Sequence, residues 1–76
     1  SYLSLYILAR LNLAKIELEE GRAHAAAAFL KEAAPLIGNQ GPLSYELEFL
    51  YGEALYQQKD FHQAAEKYEA CLADPM

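Results

Sequence analysis

Residues 51 to 72 read YGEALYQQKDFHQAAEKYEACL, and the middle of this stretch, Gln57-Gln58-Lys59-Asp60, separates two apolar patterns of helical period. Asp60 offers a helix N-cap, and Gln63 stands three residues later in a capping-box arrangement that would satisfy two orphan backbone groups. Downstream, Phe61, Ala64, Ala65, Tyr68, Cys71 and Leu72 form an inward stripe, and Asp74-Pro75 stops the helix. Upstream, Leu43, Leu47, Leu50, Tyr51, Ala54 and Leu55 recur at 3.6 spacing and predict a helix over about 43 to 58. The stretch therefore reads as helix, tight turn, helix.

Working outward, Gly38-Asn39-Gln40-Gly41-Pro42 is a loop, and Pro42 suits the first turn of the following helix because its missing N–H would be an orphan anyway. Residues 23 to 34 are rich in alanine, with Phe29 and Leu30 as the only large apolar groups, which predicts a thin second helix that ends or kinks before Pro35. Residues 2 to 20 form a first helix. Leu5, Leu8, Ala9, Asn12 and Ile16 lie on one track while Leu3, Tyr6, Ile7, Leu11, Leu13, Ala14 and Leu18 fill much of the remaining circumference, so burial on more than one side is expected. Gly21 breaks this helix and suits a left-handed cap. No strand-like alternation of useful length occurs. The expected fold is all-α: four helices in two antiparallel hairpins.

Composition narrows the function classes. The 76 residues are 54% apolar, enough to drive collapse of one small domain and too few for two. Six Lys+Arg against eleven Asp+Glu give a net charge of −5, which argues against nucleic acid or an anionic membrane as the main partner. The imbalance sits in the second half, where Lys59 and Lys67 face Glu46, Glu48, Glu53, Asp60, Glu66, Glu69 and Asp74. Arg10, Asn12, Lys15 and Glu17 interrupt the apolar run from Tyr2 to Leu18, so a membrane span is rejected, and no signal-peptide pattern precedes it. A lone cysteine, Cys71, fits a reducing intracellular compartment, cytoplasmic or nuclear. The chain opens directly in an apolar run, which reads as a segment of a longer protein.

The two halves repeat. Setting Gly21 on Lys59, a shift of 38, places Leu13 on Tyr51, Ala14 on Gly52, Ala26 on Ala64, Leu30 on Tyr68 and Ala33 on Cys71, small on small and large on large. Residues 45 to 75 resemble a tetratricopeptide repeat: Tyr51-Gly52, Leu55-Tyr56, Asp60-Phe61, Ala64, Tyr68 and Cys71-Leu72 stand in that family's order, closing on Asp74-Pro75. Gly52 and Ala64 lack bulk, so the helices of one hairpin can approach closely there. Lys59 departs from the family's turn glycine, Glu48 from its bulky aromatic, and Cys71 from its alanine; Pro75 comes one residue early. Residues 7 to 34 keep Ala14, Gly21, Ala26, Leu30 and Ala33, with Pro35 ahead of its usual place. The repeats span about 2–36 and 43–75. Tyr45 to Leu72 is also similar, more loosely, to the first repeat of a tetratricopeptide subunit of the anaphase-promoting complex.

The resemblance implies a short α-solenoid whose hairpins bind or scaffold other proteins, with the first helix of each hairpin lining a concave groove. Family positions carried onto this chain place Leu8, Leu11, Lys15 and Leu18 in the groove from the first repeat, and Glu46, Phe49, Glu53, Tyr56 and Gln57 from the second. Members that clamp a C-terminal carboxylate carry basic groups and Asn at these places. Here only Lys15 is basic, and Glu46 and Glu53 would repel an anionic tail. A neutral to basic helix or peptide fits better, with Phe49 and Tyr56 as anchors; burial of both against a neighbouring repeat is the alternative.

Other chemistry is weakly represented. His24 and His62 fall on equivalent positions that stacked hairpins would hold roughly 10 Å apart, so exposed histidines are expected rather than a metal site. Cys71, late in a helix, reads as a small packed residue. Glu17, Glu19 and Glu20 read as a solvated face. No cofactor, catalytic or metal motif is expected, and an enzyme enters only as an alternative in which the hairpins serve a larger catalytic chain. A further alternative is self-association, or docking on additional repeats, through an apolar surface of Tyr2, Leu3, Leu5, Tyr6, Ile7 and Leu8.

Overall fold

A computed structural model describes residues 2–38 and 41–73. Four α-helices follow in order: α1 (Tyr2–Glu19), α2 (Ala23–Ile37), α3 (Pro42–Gln57) and α4 (Phe61–Ala73). No strand occurs among the described residues. The closest packing is α1 on α2 and α3 on α4; α2 also packs on α3, and α1 touches α3 less extensively. The stop expected at Asp74-Pro75 lies outside the described residues, as does the centre of the loop, Asn39-Gln40.

Both tight turns use one bonding scheme. After α1 the Gly21 N–H donates to the Leu18 carbonyl (3.0 Å) and the Arg22 N–H to the Glu17 carbonyl (2.8 Å). After α3 the Lys59 N–H donates to Tyr56 and the Asp60 N–H to Leu55, both at 2.9 Å. These are the paired bonds of a Schellman cap, which satisfies helix-end carbonyls and needs a left-handed residue. Gly21 (φ 76°) and Lys59 (φ 66°) supply it, and Lys59 is the one non-glycine residue with positive φ among those described. Every bonded residue in the second turn is shifted by 38 from its counterpart in the first.

The start of α4 only half matches its sequence reading. The Gln63 backbone N–H donates to Asp60 Oδ1 (3.3 Å), as an N-cap should. The Gln63 side chain, however, donates to Asp60 Oδ2 (2.7 Å) rather than reaching the Asp60 N–H, which the Schellman cap has already used. At the start of α2 the equivalent Arg22 makes no side-chain cap bond.

Pro35 does not end α2. The helix continues to Ile37, and the exposed ring lies in its last turn. A proline there removes one ladder bond near an end, where carbonyls are already losing partners.

The core joins both hairpins: Ile7, Leu11, Ala14 and Leu18 of α1, Ala23, Ala26, Leu30 and Ala33 of α2, and Leu47, Leu50 and Ala54 of α3. Leu11 and Leu30 are the largest side chains removed fully from water, each contributing about 1.5–3 kcal/mol of transfer free energy. Burial of α1 is confined to one stripe, contrary to the expectation of burial on several sides. With α2 and part of α3 as its only neighbours, Leu5, Leu8 and Ile16 stay exposed. On α4 likewise only Ala64 and Cys71 of the expected stripe are buried, Tyr68 is half-buried, and Phe61, Ala65 and Leu72 are exposed, because α4 packs on α3 alone.

Candidate functional site

The two odd-numbered helices lie side by side, tied by polar bonds. Lys15 of α1 pairs with Glu46 of α3, and the Gln57 side-chain amide of α3 donates to the Leu18 carbonyl at 2.9 Å. Of the residues expected in a groove, the fold thus brings Lys15 to Glu46 and Gln57 to the backbone of Leu18. Their chemistry differs from expectation. The Glu46 charge is compensated by Lys15, and the Gln57 amide is occupied with backbone.

Three apolar residues expected at surfaces are not there. Leu11 and Leu18 belong to the core rather than the groove, at 1% and 9% exposure. Ile7, expected in the N-terminal apolar surface, is also buried, at 5%. All three share a stripe with Ala14, at i, i+4, i+7 and i+11, and this stripe turns inward to a cluster shared with α2 and α3. Leu8 remains exposed, and so do Tyr2, Leu3, Leu5 and Tyr6 on the rest of α1.

On α3, Phe49 and Tyr56 are 44% and 58% exposed. Each has one aromatic neighbour on α4: the Phe49 and Tyr68 ring centres lie 6.0 Å apart, and Tyr56 meets Phe61 edge-on at 5.0 Å. Glu53, between them in sequence, accepts a 2.6 Å hydrogen bond from the Tyr68 hydroxyl. Partial burial, followed by the bond to Glu53 and that carboxylate's charge, pushes the Tyr68 phenol up to about 12. The phenol therefore stays protonated across ordinary pH and holds Glu53 in place.

Two further cations near this surface, Lys67 and Arg10, are paired with carboxylates and stacked on aromatic rings. Lys67 lies 3.4 Å from Glu48 and 5.4 Å from the centre of the Tyr51 ring. Arg10 sits over Tyr6 (4.6 Å) and Phe29 (5.7 Å), with Nε 3.2 Å from Glu32 Oε1 but not aligned for a hydrogen bond. Its guanidinium pKa is raised, first by the Tyr6 hydroxyl.

An open cleft of about 300 Å³ runs between α2 and α3, lined by His24, Ala27, Ala28, Lys31, Tyr51, Ala54, Leu55 and Gln58. Sequence reasoning did not single it out, since its walls come from helix faces with no shared motif. His24 and His62 are both exposed, and His62 lies 4.0 Å from Glu66. Among the described residues no group of three His, Cys, Asp or Glu could hold a metal ion. Cys71 is buried with Sγ 3.4 Å from the Tyr45 carbonyl, matching the packed-residue reading. No described helix is long and apolar enough to cross a membrane. No protein-family model, curated protein or solved structure matches the chain.

Proposed function

We propose that this chain is a non-catalytic protein-interaction module built from two tetratricopeptide-like hairpins, and that it grips a partner segment along α1 and α3. The observation that carries the reading is the state of α3. Phe49 and Tyr56, one heptad apart on a single helix face, remain exposed although each is steadied by an aromatic neighbour and bordered by acidic groups. Ordered, half-exposed aromatics are the usual anchors of protein interfaces. The repetition of both caps at a shift of 38 supports the repeat reading, as do the lateral bonds between α1 and α3. The working surface comprises Leu8, Lys15, Glu46, Phe49, Glu53 and Tyr56, and a neutral to basic segment suits it.

A selection of displayed peptides against the intact chain tests this. Enrichment of sequences with apolar anchors is expected, and Phe49→Ala or Tyr56→Ala should remove it while the thermal melt stays cooperative. An enrichment indifferent to both changes, or no enrichment at all, overturns the reading.

Self-association is a second reading, favoured by Tyr2, Leu3, Leu5, Tyr6 and Leu8, which stay 92%, 52%, 64%, 39% and 44% exposed on one helix. Apolar exposure of this density commonly marks an interface. Sedimentation should then show a concentration-dependent dimer that Leu5→Glu disperses; a monomer at millimolar concentration rejects it.

A further inference from the structure

The internal repeat allows one end of the molecule to be compared with its own interior. Hairpin 1 (α1 and α2) is covered by α3, and residues of its covered side have counterparts 38 positions later in hairpin 2 (α3 and α4). Leu11 and Leu18 are buried, whereas their counterparts Phe49 and Tyr56 are exposed. Ala23 is buried at 7% while its counterpart Phe61 is 54% exposed, and the half-buried Ala34 corresponds to Leu72 at 81%. The end formed by α3 and α4 is therefore an enlarged, aromatic version of a face that already accepts a helix elsewhere in the chain.

Its charges are inverted. Lys15 of hairpin 1 pairs with Glu46 of the incoming α3, and Lys31 lines the cleft where α2 meets α3. The counterparts in hairpin 2 are Glu53 and Glu69. A helix seated on this end as α3 sits on hairpin 1 would meet carboxylates where α3 meets ammonium groups.

We infer that the end face of α3 and α4 docks an amphipathic helix of basic character, its apolar stripe on Phe49, Tyr56, Phe61 and Leu72 and its Lys or Arg side chains at Glu53 and Glu69. This names the partner class of the interaction module proposed above and rests on that reading. Opposite-sign pairing and continuity with the internal interface select this occupant. A second copy is the wrong occupant. Placed as α3 is placed, its α1 would present Leu8 where α3 has Glu46, and Glu17, Glu19 and Glu20 where α3 has Leu55, Gln57 and Gln58, setting acid against Glu66 and Glu69.

Two synthetic 17-residue peptides test the inference by fluorescence anisotropy against the intact chain. One carries residues 42–58 unchanged, and the other carries them with Glu46→Lys and Gln58→Lys. The lysine peptide should bind about tenfold more tightly at low salt, as two favourable pairs and the relief of like-charge contact predict, and should weaken as salt rises. Glu66→Lys with Glu69→Lys in the chain, both at exposed positions outside the buried cluster, should narrow that preference to about threefold or less. Phe61→Ala with Leu72→Ala should abolish binding with helicity retained, and Leu5→Ala at the opposite end should not change it. Equal binding of both peptides, lost on Phe49→Ala, keeps the interaction module and overturns the basic helix. Binding of neither peptide, while the displayed-peptide selection still enriches anchors, also overturns it alone. Self-association competed away by the lysine peptide would give this face to a second copy and overturn it as well.

Discussion

Lys59 holds a left-handed conformation with a side chain that gains nothing from it. Its counterpart Gly21 adopts nearly the same φ, and an added Cβ there would meet no atom within 4 Å, so the two positions differ only in backbone cost. A residue with a Cβ gives up about 1–2 kcal/mol in this region. Lys59→Gly should therefore stabilise the fold by about 1 kcal/mol, less a few tenths for the freer unfolded chain, and Gly21→Ala should destabilise it by about the same amount. Urea denaturation followed by circular dichroism reads both. Tyr68 gives a second prediction at this scale. Its phenol pKa rises from 10.0 to about 12 on folding, so the associated stability is complete below pH 10 and drains away between pH 10 and 12. The half-buried Tyr51 shifts in the same direction, chiefly through burial. Melting temperatures should fall more shallowly across that window in Tyr68→Phe than in the parent chain.

At the scale of helices, the closest approach within hairpin 2 is set by Gly52, where an added Cβ would lie 2.6 Å and 2.7 Å from ring carbons of Tyr68. At the corresponding positions hairpin 1 carries Ala14 and Leu30, both fully buried: a larger residue on the first helix goes with a smaller one on the second. Gly52→Ala alone should cost about 1–3 kcal/mol through overpacking. Adding Tyr68→Leu should recover part of that loss, giving a favourable coupling of about 0.5–3 kcal/mol in a double-mutant cycle. The close approach at Gly52 was legible in the sequence, where the shift of 38 aligns small with small, but its partner was not: the sequence reading set Gly52 with Ala64, and the structure sets it against Tyr68. Helix number and turn positions were legible, since glycine, proline and capping residues act locally. Pro35 misled because its cost depends on distance from the helix end, which local pattern does not give. The fate of Ile7, Leu11 and Leu18 was illegible for a different reason. In a helix apolar around most of its circumference, periodicity cannot say which stripe meets the neighbour, and a carried-over groove assignment took two buried positions for surface.

Across the molecule, one cluster of buried side chains spans α1, α2 and α3 and so joins the two hairpins. Leu30 belongs to it and is fully buried on α2, the helix that packs on both α1 and α3. Leu30→Ala should cost about 2–5 kcal/mol and lower the stability of both hairpins together. Far-ultraviolet dichroism and near-ultraviolet tyrosine dichroism should consequently melt in coincident transitions; a surviving second hairpin, seen as two separated transitions, would contradict this. The site's position follows from the same arrangement. Where hairpin 1 is covered the repeat positions became core, and where hairpin 2 is not they stay exposed; Phe49 and Tyr56 were legible as anchors from the repeat pattern, whereas Phe61 and Leu72 joined them only once the two halves were compared in space.

The carbonyl of Leu18 receives two hydrogen bonds, one from the Gly21 N–H in the turn and one from the Gln57 side chain on α3. One oxygen thus records both the closure of the first turn and the arrival of the second hairpin. In deuterated solvent, the exchange of the Gly21 amide will follow the docking of α3 as well as fraying of α1. A proton deep in the first half of the chain becomes a clock for events in the second.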